Sequence, residues 1–240
     1  MYEQRTYRHK IKGSGLVSFT TKIKETDLFV LARSELKTET LALIENYRRP
    51  LEEYVRSHPL FLHSLEPLPV EADAPGIVLL MSQAGKAAGV GPMAAVAGAM
   101  AELVGKKLLD FSPEVIVENG GDIFMKISKR RRIGIFAGNS PFTDKLALEI
   151  DPGETPLGIC TSSGTVGPSL SLGSTDATIV TSRSAALADA AATAVGNLVK
   201  MADDVQGALD YGKGIKGVRG IVIIVGDKMG AWGEIKLVKI

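Results

Sequence analysis

"SAALADAAATAVGNL", residues 184–198, reads as a helix that holds one charged side chain, Asp189. A surface helix carries Lys and Glu on its outer face, so their absence from Ser184 to Val199 predicts a helix that is mostly buried. Asp189, Thr193 and Asn197 stand four apart and share one stripe, while Leu187, Val195 and Leu198 lie on other faces. A buried carboxylate needs a partner. Two readings are open: a solvated polar stripe with Thr193 bonded back to a backbone carbonyl, or a pair of hard oxygen ligands, Asp189 and Thr193, suited to Mg²⁺, with substrate phosphates and water completing the shell.

Working outward, "DATIVTS" reads as the strand that feeds this helix, and before it "GICTSSGTVGPSLSLGST", residues 158–175, is uncharged and dense in hydroxyls. Hydroxyls and glycine N–H groups can donate to a pyrophosphate, although no P-loop lysine is present. The alternative is a long polar surface loop, which is uncommon without a function. Cys160, the only cysteine, has no His near it in sequence and reads as a buried, inert thiol more readily than as a nucleophile. Further upstream, "VENGGD", Val117 to Asp122, is a strand ending in a Gly pair and an acid. Paired glycines permit positive φ, so the segment is either a tight turn or a loop that wraps a phosphate or ribose while Asp122 accepts a hydrogen bond.

The remaining elements are consistent with an α+β chain. "GLVSFTTKI" and "DLFVLARS" flank "KET" as a hairpin. A helix is predicted near residues 36–58, with Thr38 or Thr40 as its N-cap and a kink at Pro50. "HPLFLHSLEPLPVEADAPG" reads as a linker or crossing segment. A helix near 92–109 is entered at Pro92 and presents an early face of Ala and Gly that allows close backbone approach. Strands follow in "PEVIVENGGDIFMKIS", "RRIGIFAG", "KLALEID" and "PLGICTSSG", with two more around "GDKMG" near the end. One domain is expected over 1–240, with a hairpin-and-helix region at 1–75 and a Gly/Ala/Ser-rich core at 76–240.

Lys+Arg 28 against Asp+Glu 27 gives no long-range field for nucleic acid. "SKRRR", Ser128 to Arg132, lies between two strand-like segments and is expected to be a solvated hairpin tip. One cysteine leaves no intrachain disulfide and points to a reducing compartment. "MYEQRTYRHKIKG" lacks the apolar core of a signal peptide, and runs such as "PGIVLLM" are too short to cross a bilayer. The expectation is a cytoplasmic protein with no membrane partner, whose apolar C-terminal strands could pair across a homo-oligomer. His9, His58 and His63 all fall in the first third, where surface or interface roles are expected.

"NGGD", "TSSG" and "ADAAATA", in this order, resemble the GGD turn, TSG loop and ADALATA helix of the ApbE flavin transferases, once described as thiamine biosynthesis lipoproteins. "ETDLFVLA", "AGVGPMAAVAGAMAE", "VENGGDI", "GICTSSGTVG" and "GAWGEI" look more specifically like uncharacterised protein family 0280, an ApbE-like branch, over nearly the whole chain. The resemblance implies an ApbE-like fold of mixed or antiparallel sheets packed with helices. It also implies Asp189 and Thr193 as catalytic and Mg²⁺-binding residues, and Gly120, Gly121, Asp122, Thr161, Ser162, Ser163 and Gly164 as contacts for FAD, a phosphorylated small ligand. The chemistry implied is Mg²⁺-dependent transfer of FMN from FAD to an acceptor protein, or cleavage of the FAD pyrophosphate; the alternatives are a non-catalytic binder and an enzyme for a different substrate. Three positions depart from the pattern: Pro92 stands where ApbE proteins carry a Lys, Pro168 where a His is expected, and the HIIDP-TG element is replaced by "GPSLSLGSTDATIV".

Overall fold

The computed structural model describes residues 15–165 and 172–240. The first hairpin forms as expected from β1 (Val17–Ile23) and β2 (Thr26–Ala32), turning at Lys24, whose φ is 53°. "VENGGD" becomes a second hairpin, β3 (Val115–Asn119) and β4 (Asp122–Lys126). Its two-residue turn is tight and places Gly120 at φ 70° and Gly121 at φ 106°. Positive φ at both central positions matches the twist of the flanking strands, and glycine supplies it without a Cβ penalty.

The later strands are β5 (Arg131–Gly134), β6 (Leu146–Ile150), β7 (Leu157–Ser162), β8 (Ala177–Ser182), β9 (Val218–Val225), β10 (Lys228–Gly233) and β11 (Leu237–Lys239). Eight of them form one sheet in the order β1-β2-β3-β4-β7-β8-β9-β10, and β11-β6-β5 form a smaller one. Every described pairing is antiparallel. Side chains alternate across the large sheet. Val115, Val117, Cys160 and Val180 enter a core shared with the helices, whereas Ile116, Ile123, Ile159 and Ile179 enter a second core closed by Ile133 and Leu148 of the small sheet.

The helices are α1 (Lys37–Ser57), α2 (Pro59–His63), α3 (Gly76–Ala88), α4 (Val96–Leu108), α5 (Ala185–Asn197) and α6 (Val205–Gly214). The architecture is therefore α+β, with α5 in the middle of the helical layer: it touches α3, α4, α6, β7 and β8. Nine of its residues are buried, seven of them alanines, which accounts for the missing Lys and Glu. Gly98 of α4 is where the two helices meet most closely, since a Cβ there would lie 2.3 Å from the Ala185 carbonyl oxygen. Among the described residues no single helix is long and apolar enough to cross a membrane.

Several expectations are corrected. Neither Thr38 nor Thr40 caps α1; Leu36 is the N-cap, and Thr40 is buried in the first turn with its hydroxyl donating to the Leu36 carbonyl at 2.6 Å. The helix continues through Pro50 to Ser57, within the span expected for it. Pro92 opens a short 3-10 turn over Pro92–Ala95, and the α-helix begins after it. The crossing segment contains α2, and two helices, α3 and α6, were not foreseen. "SKRRR" is no hairpin tip, because β4 and β5 belong to different sheets. Nor is it simply solvated: Arg131 is buried against Glu114 at 3.0 Å, Arg132 meets Glu149 at 3.0 Å, and Arg130 meets Asp151 at 2.5 Å. His9, Pro168 and the middle of the hydroxyl-rich run, 166–171, lie outside the described residues.

Candidate functional site

Helix α5 and the β3–β4 hairpin together open onto a cavity of about 600 Å³. Asp189, Thr193 and Asn197 face it from α5, and Asp122 faces it from the first position of β4. The stripe inferred from sequence spacing is thus a cavity wall. Leu198, expected on another face, also reaches it from just past the helix end. The opposite side is built by Leu62 to Leu65, by the Gly89–Gly91 turn between α3 and the Pro92 segment, and by Tyr211 of α6.

Asp189 has a partner that the sequence does not reveal. Its Oδ2 accepts the backbone N–H of Gly98 at 2.8 Å, in the first turn of α4. The first N–H groups of a helix have no intrahelical acceptor, so a carboxylate from a neighbouring helix satisfies one and meets the positive end of the dipole. The arrangement is reciprocal. Glu102 of α4 accepts the Ser184 hydroxyl at 2.8 Å and the Ala186 N–H at 3.1 Å, which are the N-cap and first turn of α5. Asn119 adds a third tie, donating to the Ala97 carbonyl at 3.1 Å.

The electrostatics of the wall follow from burial. Burial pushes the Asp189 carboxyl up to about 7, against the lowering effect of the Gly98 and Ala97 N–H groups. Asp122 is raised well above the ordinary carboxylate range, first by burial and then by the Asp189 charge, although the Cys160 thiol and the Thr161 N–H both stabilise its ionised form. Asp189 is half-buried and Asp122 buried, so the two differ in how far the cavity exposes them. Cys160 is fully buried, donates to the Ala185 carbonyl at 3.2 Å, and has its thiol pushed up by burial and by both aspartates, as expected of an inert cysteine.

The expected nucleotide contacts do not all converge. Gly120 and Gly121 form the turn just before Asp122, and the Thr161 N–H donates to Asp122 Oδ1 at 3.3 Å. Ser162, Ser163 and Gly164 run instead beneath the segment entering β8: Gly164 N–H donates to the Thr175 carbonyl at 2.9 Å and Ser163 Oγ to the same oxygen at 3.3 Å. Asn197 Oδ1 accepts the Leu172 N–H at 2.8 Å and so fixes that segment at the cavity rim. His63, Tyr211 and the Gly89–Gly91 turn were not foreseen as lining. The "GVGP" spacing at 89–92 carried a partial signal, since Gly89 ends α3 at φ 73° and Gly91 lies so close to Ser64 that a Cβ would come within 1.8 Å of its carbonyl oxygen.

Two carboxylates with raised proton affinity and a hydroxyl one turn away form a hard-oxygen donor set that fits Mg²⁺. No cluster of three or more His, Cys, Asp or Glu occurs among the described residues, so such an ion would draw its other ligands from Thr193, water and a bound phosphate. The described lining contains no Lys or Arg. An anionic ligand would therefore meet net negative charge here unless it arrived with a cation.

A family model described as AbpE bacteria matches residues 8–236. The chain belongs to that family. Within it, the chain is 42% identical to a UPF0280 protein of Methanocella arvoryzae over 215 residues, covering 89% of this chain and 87% of the relative. It is also 42% identical to a UPF0280 protein of Methanocaldococcus jannaschii, covering 90% and 91%. Solved structures share the fold at low identity. The ApbE protein of Thermotoga maritima superposes with TM-score 0.60 at 12% identity, covering 90% of this chain and 96% of that one. The flavin transferase ApbE of Vibrio cholerae does so with TM-score 0.52 at 13% identity, covering 91% and 97%. The expected family and ApbE-like fold are thus both found for this AbpE-family chain.

Proposed function

We propose that this chain binds FAD together with Mg²⁺ and breaks the pyrophosphate, either transferring FMN to a hydroxyl of an acceptor protein or releasing it to water. The observation that carries the reading is the pair Asp122 and Asp189, with Thr193, facing one cavity whose described lining has no fixed positive charge. The flavin-transferase names of the structural neighbours support the choice of ligand. Asp189, Asp122 and Thr193 would hold the ion, which supplies neutralisation of the pyrophosphate charge. The Gly98 N–H fixes the Asp189 carboxylate in one orientation, which removes the reorganisation that a freely rotating side chain would need. Asn197 positions the Leu172 segment over the wall, and Val90, Met93 and Val96 exclude water around the reacting group.

Titration calorimetry with FAD, with and without Mg²⁺, followed by measurement of FMN and AMP, tests this directly. Mg²⁺-dependent binding with AMP release is expected, and Asp189→Asn should abolish the release. A second reading, a binder without turnover, is favoured by the cap that Asp189 already provides to α4; tight Mg²⁺-dependent binding with intact FAD would select it. No binding of FAD under either condition would remove both.

A further inference from the structure

His63 ends α2 and stands in the cavity lining beside Leu62 and Leu65. It is the only histidine there, and the only described lining residue that can carry positive charge. The backbone that follows it is held against the Gly89–Gly91 turn. The Gly91 N–H donates to the Leu65 carbonyl at 2.9 Å, and Gly91 admits the Ser64 carbonyl so closely that no side chain would fit. The His63 side chain is exposed, and no hydrogen bond or ion pair engages its ring among the described residues. Its flanking leucines are exposed as well, Leu65 by 59% and Leu62 by 43%. Along the described lining His63 and its exposed neighbours Leu62, Leu65, Leu172, Leu198 and Tyr211 form the solvent side and Asp122 is buried, so a nucleophile arriving from solvent or from an acceptor protein passes this rim.

Neither aspartate is free to take a proton from that nucleophile if both hold a metal ion, and Asp189 already accepts the Gly98 N–H. The imidazole is then the remaining basic lone pair in the described lining. We propose that His63 is the proton acceptor for the attacking hydroxyl, an inference that rests on the FAD-cleaving reading above. The hydroxyl oxygen bonds to the FMN phosphorus as its proton passes to the imidazole nitrogen. The bond from that phosphorus to the bridging oxygen breaks, its electron pair leaves on the AMP phosphate, and the imidazolium returns its proton to solvent.

The test uses the full chain with FAD and Mg²⁺, with water alone and with a mixture of Ser- and Thr-containing peptides as acceptors. His63→Gln should leave the Kd for FAD with Mg²⁺ unchanged while AMP release falls by about 100-fold or more, the range for a lost general base. Free imidazole should restore release to His63→Ala, which a purely structural role would not allow. Undiminished release by His63→Gln, or a loss of affinity that matches the loss of rate, overturns the assignment while leaving FAD cleavage intact. A wild-type chain that binds FAD with Mg²⁺ but releases no AMP overturns the cleaving reading and the role of His63 together.

Discussion

Asp189 combines a structural and a chemical demand in one side chain, and substitutions can separate them. Asparagine keeps an oxygen for the Gly98 N–H but no negative charge; alanine removes both. Loss of a helix-capping acceptor costs about 1 kcal/mol. At about pH 4, where the native carboxyl is protonated, Asp189→Ala should therefore lower the unfolding free energy by roughly that amount, while Asp189→Asn stays within about 0.5 kcal/mol of wild type in chemical denaturation; equal losses from both at that pH would show that the cap is not what the side chain contributes. The pH dependence has a definite sign. The native carboxyl is raised from 3.8 to about 7, so between those values the folded protein holds a proton that the unfolded chain has lost. Stability from this group is present at the acid end of that window and declines as pH rises through it. The difference in unfolding free energy between wild type and Asp189→Asn should accordingly shift against wild type from about pH 4 to about pH 7. Mg²⁺, which favours the ionised form, should flatten that shift if it binds here.

At the scale of elements, the crossing of α4 and α5 depends on small residues at their contact. Alanine normally stabilises a helix relative to glycine by about 1 kcal/mol. Gly98→Ala should do the reverse, because its Cβ would fall 2.3 Å from the Ala185 carbonyl and 2.8 Å from the Asp189 Cβ, and backbone cannot yield as a flexible side chain does. A loss of about 1–3 kcal/mol is expected. Gly207→Ala, on the exposed face of α6 with nothing within 4 Å, is the control and should gain about 0.5–1 kcal/mol. Parallel thermal denaturation of the two variants would give shifts of opposite sign, and a stabilised Gly98→Ala would contradict the close crossing. The same crossing explains what the sequence disclosed and what it did not. "SAALADAAATAVGNL" was legible as a buried helix with one polar stripe because composition and spacing are local properties. The partner of Asp189 lies 91 residues away, at a glycine N–H that carries no side-chain signal. Helix α3 was missed because its first half, "GIVLLM", is a continuous apolar run without helical spacing of its own, and Gln83 and Lys86, which mark its exposed side, come only in the second half. The "SKRRR" segment was misread because the strands on either side alternate alike whichever sheet they join.

At the scale of the molecule, the large sheet separates two cores, and only the helical side opens into the cavity. Its site therefore draws on segments far apart in the chain: α2, the Gly89–Gly91 turn, β4, α5 and α6. The resemblance in three short motifs located the β4 and α5 contributions, whereas the wall from Leu62 to Leu65 became visible only when the chain was folded, since "HPLFLHS" has neither a motif nor a clear period. On the proposed reading, this composite wall is also where charge would decide binding. With two aspartates and no Lys or Arg in the described lining, FAD alone should bind weakly, Mg²⁺ alone should bind to the aspartates with modest effect, and the two together should bind cooperatively. A ligand present at 100 times its Kd stabilises the folded state by about 2.7 kcal/mol. For a chain of this length that corresponds to a rise in Tm of roughly 5–10 °C. Thermal scans in Mg²⁺, in FAD and in both should thus show a shift for the pair that exceeds the sum of the separate shifts. The excess should vanish in Asp122→Asn, where one carboxylate is neutralised without loss of volume. A full shift with FAD in the presence of a chelator would mean that the phosphates are met by groups other than a metal ion, and would move the nucleotide away from the aspartate wall.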